Sequence, residues 1–217
     1  SRLASGTDPD PETDKRLVGL FLNIVFGAFD TTSLGLASMV YLLAAHPEWQ
    51  ERLREESLAA GNVDDAESLQ KLSLLDMVWK ETLRLMPLAP GVPRRSLREV
   101  ELLGKRIPAG TFALACSPAL GRHPRWWSEP NRFDPLRFSP ERAEEKRHPG
   151  IYQPFGAGPH VCIGMQLANL EAKLMVHELL IRCRFELAPH YEARHSFGPI
   201  GCVSGDVRLR LTDLRYA

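Results

Sequence analysis

Cys162 stands at the end of a glycine-rich run, Pro154-Phe155-Gly156-Ala157-Gly158-Pro159-His160-Val161-Cys162-Ile163-Gly164. Apolar residues at Leu167, Leu170, Leu174 and Leu179 then predict a helix over 165–180. A thiol at a helix N-terminus faces the positive end of the peptide dipoles, which favours the thiolate, the form that binds metal. Gly156, Gly158 and Gly164 allow a tight turn that brings backbone N–H groups near the sulfur, where hydrogen bonds tune a metal-bound thiolate. Phe155 adds a flat apolar surface. The run reads as a site for one thiolate ligand against a large flat cofactor.

Three other chemistries compete for this run. A lone cysteine is often a small buried hydrophobe. A glycine-rich turn before a helix can cradle phosphate, but no Lys-Ser or Lys-Thr follows these glycines. Zinc needs three or four ligands at close spacing. His160 is near, whereas Cys116, Cys183 and Cys202 are too distant in sequence to form a CxxC pair with Cys162. The pattern Phe-x-x-Gly-x-His-x-Cys-x-Gly, more demanding than a lone GxGxxG, favours haem-thiolate ligation.

Three further motifs occur in the chain: Gly27-Ala28-Phe29-Asp30-Thr31-Thr32, Glu81-Thr82-Leu83-Arg84 and Phe133-Asp134-Pro135-Leu136-Arg137-Phe138. Together with the cysteine loop, and in this order, they resemble the cytochrome P450 family over residues 17–214. One departure is Ala28, where the family often has Gly. The resemblance implies a mainly α fold with small β-sheets, spanning the C-terminal half of the P450 fold. It runs from the long oxygen-activating helix through the haem-loop helix to a terminal β-unit. Because family members are about twice as long, residues 1–217 read as the C-terminal haem-binding portion, with the N-terminal half not in this sequence.

What the resemblance implies for single residues follows motif by motif. Cys162 is the axial ligand of haem b (iron protoporphyrin IX), and a thiolate there pushes electron density that favours O–O cleavage. Phe155, Gly156 and Gly164 shape the cofactor loop, and His160 holds a haem propionate or is a plain surface histidine. Arg94, ten residues before Gly104, is the second propionate candidate, with Arg95 as its competitor. Asp30 and Thr31 are the catalytic pair, delivering protons and a hydrogen bond on the oxygen side, in a helix locally opened near Gly27. Glu81 and Arg84 share a helix face. Alone they read as a solvated pair worth ~0–1 kcal/mol. By resemblance they form a buried triad with Arg137, serving cofactor-pocket assembly rather than chemistry. Phe26, Gly27, Leu88, Ala89, Val92, Pro199, Ile200 and Gly201 are the substrate contacts or, equally, core packing.

The resulting expectation is a haem-thiolate monooxygenase. Dioxygen supplies one oxygen atom to an apolar small-molecule substrate, and a ferredoxin, flavodoxin or reductase supplies electrons. The alternative is a noncatalytic or haem-deficient fragment needing a complementary N-terminal segment. Lys146, Arg147 and His148 attract an acidic redox partner or form a solvated charged loop.

The elements that must position these residues are mostly helical. A helix from Thr13 or Asp14 runs to 45, after an irregular lead-in. Asn23, Asp30, Thr31, Thr32, Ser33 and Ser38 interrupt its apolar run, so it reads as a long buried helix rather than a membrane span. Helices follow over 47–60, 66–71 and 74–85, the last stopped by Pro87. Pro87, Pro90 and Pro93 force an extended path. Strands are expected over 100–103 and 111–115 around intervening turns, and 184–188 with 207–211 as a terminal pair. Residues 124–150 show no clean period. The chain has 217 residues, 44% hydrophobic and 25% charged, with net charge zero, which suits a soluble globular protein and gives no basic field for nucleic acid. Its four irregularly spaced cysteines point to a reducing, cytoplasmic setting, with a membrane anchor left open for the missing N-terminal part.

Overall fold

The computed structural model describes residues 11–63, 65–191, 194–196, 200–204 and 207–214. Pro199 and most of the lead-in lie outside the described residues. The helices are α1 (Pro11–Ala45), α2 (Pro47–Ala60), α3 (Ala66–Gln70), α4 (Ser73–Leu85), α5 (Ser117–Gly121) and α6 (Met165–Arg182). Four two-stranded antiparallel sheets accompany them. They pair β1 (Gly91–Arg95) with β4 (Phe112–Cys116), and β2 (Val100–Leu102) with β3 (Lys105–Ile107). β5 (Cys183–Leu187) pairs with β8 (Leu209–Asp213), and β6 (Arg194–Ser196) with β7 (Cys202–Ser204).

The core joins the C-terminal part of α1 (Met39, Leu42, Leu43) to Leu53 of α2, Leu75, Val78 and Trp79 of α4, Ala172, Val176 and Leu180 of α6, and Phe185 of β5. Polar clasps fix this packing. α4 begins without a side-chain cap of its own, at Leu72. The Glu56 carboxylate on α2 takes its place, accepting from the Leu74 and Leu75 amides at 2.8 and 3.0 Å. Gln50 donates to Phe185 O and accepts from Phe185 N, tying β5 to α2.

Two sequence expectations need correcting. α1 is a single long helix, but its first half is not buried: Phe21, Phe26 and Phe29 are 65%, 69% and 72% exposed. The other helices pack only against its C-terminal turns, where burial begins at Gly35. By length and composition alone α1 is apolar enough to cross a membrane. The helix also runs unbroken past Gly27, not opened there, and Thr31 Oγ1 donates to Gly27 O at 2.5 Å alongside the helical ladder. On α6 the buried side is Ala172, Val176, His177 and Leu180, while Leu167, Leu170 and Leu174 are exposed.

The strand pairing also departs from the sequence reading. Leu103 and Gly104 both take positive φ (53° and 74°), closing a two-residue hairpin between β2 and β3. That frees residues 112–116 to pair with 91–95, setting Arg94 opposite Ala113. Pro93 is tolerated because the sheet has two strands, each with an open edge. Residues 124–150 are held by 3-10 turns at Pro135–Phe138 and Glu144–Lys146 and by a second apolar cluster of Trp127, Phe138 and Ile151.

Close packing of α5 on α4 sets the end of that helix. A Cβ at Gly121 would stand 2.8 Å from Arg84 O, and the Gly121 carbonyl accepts from Arg84 Nη1. Gly121→Ala is expected to destabilise the chain by ~1–3 kcal/mol in urea unfolding. An unchanged midpoint would mean that α5 is free to move aside.

Candidate functional site

The cysteine loop is shaped by its own backbone. Gly156 and Gly158 take φ of 74° and 70°, values a β-carbon disfavours, and the turn Gly158–His160 closes with Val161 N donating to Gly158 O. The Cys162 amide then donates to Phe155 O at 2.9 Å, and the Cys162 carbonyl accepts from Met165 N at the start of α6. These bonds present the thiol outward: Cys162 is exposed, and Ile163 beside it is 99% exposed. A Cβ on Gly164 would sit 3.8 Å from Cys162 Sγ, so glycine keeps the space beside the sulfur open. Phe155 packs against the main core from below the loop.

Glu81, Arg84 and Arg137 come together with fully covered side chains. Arg84 grips the Glu81 carboxylate with two donors, Nε at 2.6 Å and Nη2 at 2.8 Å. Arg137 Nε and the Asp134 amide reach Glu81 Oε1 at 3.0 and 2.8 Å. Most of the remaining guanidinium protons go to backbone carbonyls. Arg84 serves Gly121, Pro130 and Arg132, and Arg137 serves Ser128, Glu129 and Arg132. The Trp127 ring lies 5.2 Å from the Arg84 guanidinium carbon and 5.9 Å from that of Arg137. A solvated surface pair is therefore not what Glu81 and Arg84 make.

Glu144 is a fourth charged group here that sequence reasoning missed. Its Oε2 lies 3.0 Å from Arg137 Nη1. Two adjacent glutamates in an Ala-Glu-Glu-Lys run carry no mark telling which is buried.

The other candidates lie apart from this cluster. Asp30 and Thr31 are half-buried on α1. Phe26 and Gly27 are exposed one turn earlier. Arg94 and Arg95 are both exposed on β1, with Arg94 Nη1 donating to Pro93 O. His160 is exposed in its turn. The segment after α4 meets the terminal turn, since Gly201 N donates to Leu88 O at 2.6 Å, which sets Ile200 close to Leu88. Ala89 is exposed, and Val92 lines a small cavity with Leu83, Ile151 and Pro154. Among the described residues, no three His, Cys, Asp or Glu side chains gather to hold a metal ion.

The family model for cytochrome P450 matches residues 3–210. The chain belongs to the cytochrome P450 family. It is 41% identical over 187 residues to a Mycobacterium tuberculosis protein named "Putative cytochrome P450 136", covering 85% of this chain and 38% of that one. It is 37% identical over 193 residues to cytochrome P450 3A6 of Oryctolagus cuniculus, covering 88% of this chain and 38% of that protein. Thromboxane-A synthase of Mus musculus is 39% identical over 199 residues, covering 87% and 37%. The solved structure of retinoic acid-bound cyanobacterial CYP120A1 superposes with a TM-score of 0.84 at 29% identity, over 89% of this chain and 45% of that one. The chain thus spans less than half the length of these P450 relatives, and its mainly helical architecture with small sheets is part of the P450 fold.

Glu81 is the acceptor on which both buried guanidiniums depend. Glu81→Ala leaves two buried guanidiniums with one remaining buried carboxylate, Glu144, and is expected to cost ~3–5 kcal/mol in urea unfolding. A loss below about 1 kcal/mol would show that water reaches the cluster.

Proposed function

We propose that this chain is the haem-carrying portion of a P450 monooxygenase, in which the Cys162 thiolate would hold the haem iron. The observation that carries this reading is the exposed Cys162 sulfur at the head of α6, with its amide fixed to Phe155 O and with glycine beside it. A single thiolate donor with apolar, solvent-facing Val161, Ile163 and Leu167 around it fits a porphyrin iron, which needs only one ligand from this side. Bound haem b with a thiolate ligand activates dioxygen for insertion of one oxygen atom into a substrate.

The chain's own residues then have separable tasks. His160 and Arg94, both exposed, would hold the haem carboxylates. Glu81, Arg84 and Arg137 hold the segment before the cysteine loop against α4. Asp30 would supply a proton and Thr31 a hydrogen-bonding hydroxyl, which here donates to Gly27 O. Phe26, Gly27, Leu88, Ala89, Val92 and Ile200 present apolar or small surface to an apolar substrate. A ferredoxin, flavodoxin or reductase delivers electrons.

A second reading is a haem-deficient fragment that needs a complementary N-terminal half. The exposed apolar turns of α1, together with exposed Leu167, Leu170 and Met175 of α6, favour it. On that reading these surfaces are covered by further polypeptide before the cofactor is held.

Reduced protein loaded with haem is expected to give, under carbon monoxide, the strongly red-shifted Soret band of thiolate ligation, and Cys162→Ser is expected to abolish it. A band unchanged by that substitution refutes the ligand. Thr31→Ala is expected to leave this band intact while coupled product formation falls by about 10²-fold and hydrogen peroxide rises. Fully coupled turnover in that variant would remove Thr31 from the chemistry.

A further inference from the structure

Glu81, Arg84 and Arg137 by themselves do not balance: two guanidiniums face one carboxylate, and all three side chains are completely covered. An unmatched charge removed from water is strongly unfavourable unless another charge answers it. Glu144 supplies that charge. Glu144 is 0% exposed, and its Oε2 accepts from Arg137 Nη1 and from the Ser128 amide, each at 3.0 Å. We infer that Glu144 is the fourth member of a charge-neutral buried cluster, Arg84–Glu81–Arg137–Glu144, and that it is a positioning residue for the segment entering the Cys162 loop.

The contacts show how positioning is transmitted. Glu144 and Arg137 hold the amide and the carbonyl of Ser128 respectively, so residues 126–130 are clamped from two sides. Arg147, one turn after Glu144, donates to Trp126 O at 2.9 Å. The chain then passes Ile151, buried against Trp127, and Tyr152, whose hydroxyl donates to Lys80 O on α4 at 3.1 Å. Pro154, where the glycine-rich run begins, is two residues further on. Glu144 therefore anchors the near end of the strap and Tyr152 the far end.

Electrostatics agree with this geometry. The groups facing Glu144 are Arg137 inside and Arg142 and Arg147 at the rim. Glu81 and Asp134 lie one ion pair beyond them. Burial by itself raises the Glu144 carboxyl. Hydrogen bonds from Arg142 and the Ser128 amide and the charge of Arg137 outweigh it, lowering the pKa from 4.5 to about 2. A carboxyl depressed on folding contributes stability that is fully present above pH 4.5 and is lost as pH falls from there towards 2.

The test is a double-mutant cycle in the full chain, followed by urea unfolding, with Glu144→Gln, Arg137→Gln and their combination. Each single change is expected to raise the unfolding constant by about 100-fold or more, because it strands one buried charge. The double variant leaves the neutral Glu81–Arg84 pair, so its effect is expected to fall at least about tenfold short of the product of the singles. Glu141→Gln, on the exposed surface nearby, is the control and is expected to change little. A multiplicative double variant overturns the inference. If the singles do not fold, a cooperative transition regained in the double supports it, and none regained overturns it. Wild type is also expected to lose stability below pH 4.5 more steeply than Glu144→Gln. The positioning role rests on the haem reading and has its own readout. The thiolate-type carbon monoxide band is expected to be lost in Glu144→Gln and in the double variant alike, because Glu144 and Arg137 both hold Ser128, and a band retained in Glu144→Gln overturns the positioning role. Cys162→Ser abolishes that band in every background yet leaves the unfolding cycle unchanged, so failure of the ligand and failure of the charge balance give different results.

Discussion

A carboxylate with no access to water must find every partner inside the protein, and Glu81 does so with four donors to its two oxygens: Nε and Nη2 of Arg84, Arg137 Nε and the Asp134 amide, with the Trp127 ring beside the guanidiniums. Those partners come from α4 and from residues 126–144, so one side chain ties a regular helix to a stretch that has almost no regular structure of its own. The carbonyls of Gly121, Pro130 and Arg132 are satisfied in the same act. A long irregular segment persists in one conformation when its backbone groups are answered in this way.

The cysteine loop depends on that segment from one side and on α6 from the other. Its local shape is set by glycines with positive φ and by two backbone bonds around Cys162. Its place in the molecule is set by distant contacts. Trp79 of α4 donates to Asn169 of α6 at 2.8 Å, and Lys173 of α6 meets Asp76 of α4 at 3.2 Å. α4 is thus the beam to which both the strap before the loop and the helix after it are fastened.

Much of this was legible in the sequence, for particular reasons. Pro47 and Gly61 punctuate α2, Pro87 follows α4, and the alternating residues of β5 and β8 predicted their pairing within two residues. The cysteine loop was legible because its glycines and Cys162 form a dense pattern. What stayed hidden depends on tertiary context. The pairing of β1 with β4 followed from Leu103 accepting positive φ, which residue type does not announce. Both helices carry large apolar residues on exposed as well as buried sides, so periodicity located the helices but not what covers them. Glu144 and Glu145 are chemically identical neighbours, and only the fold separates the cluster member from the other.

Gln50 has a consequence beyond packing. By taking both the N–H and the C=O of Phe185, its amide imitates an adjacent strand at that position. Those groups therefore point away from β8, and Phe185 and Leu211 form a non-hydrogen-bonded pair in the ladder. A narrow ribbon with a free margin invites another polypeptide to add itself as the next rung. A helix side chain already seated at its middle residue denies any such newcomer the place from which it would zip up.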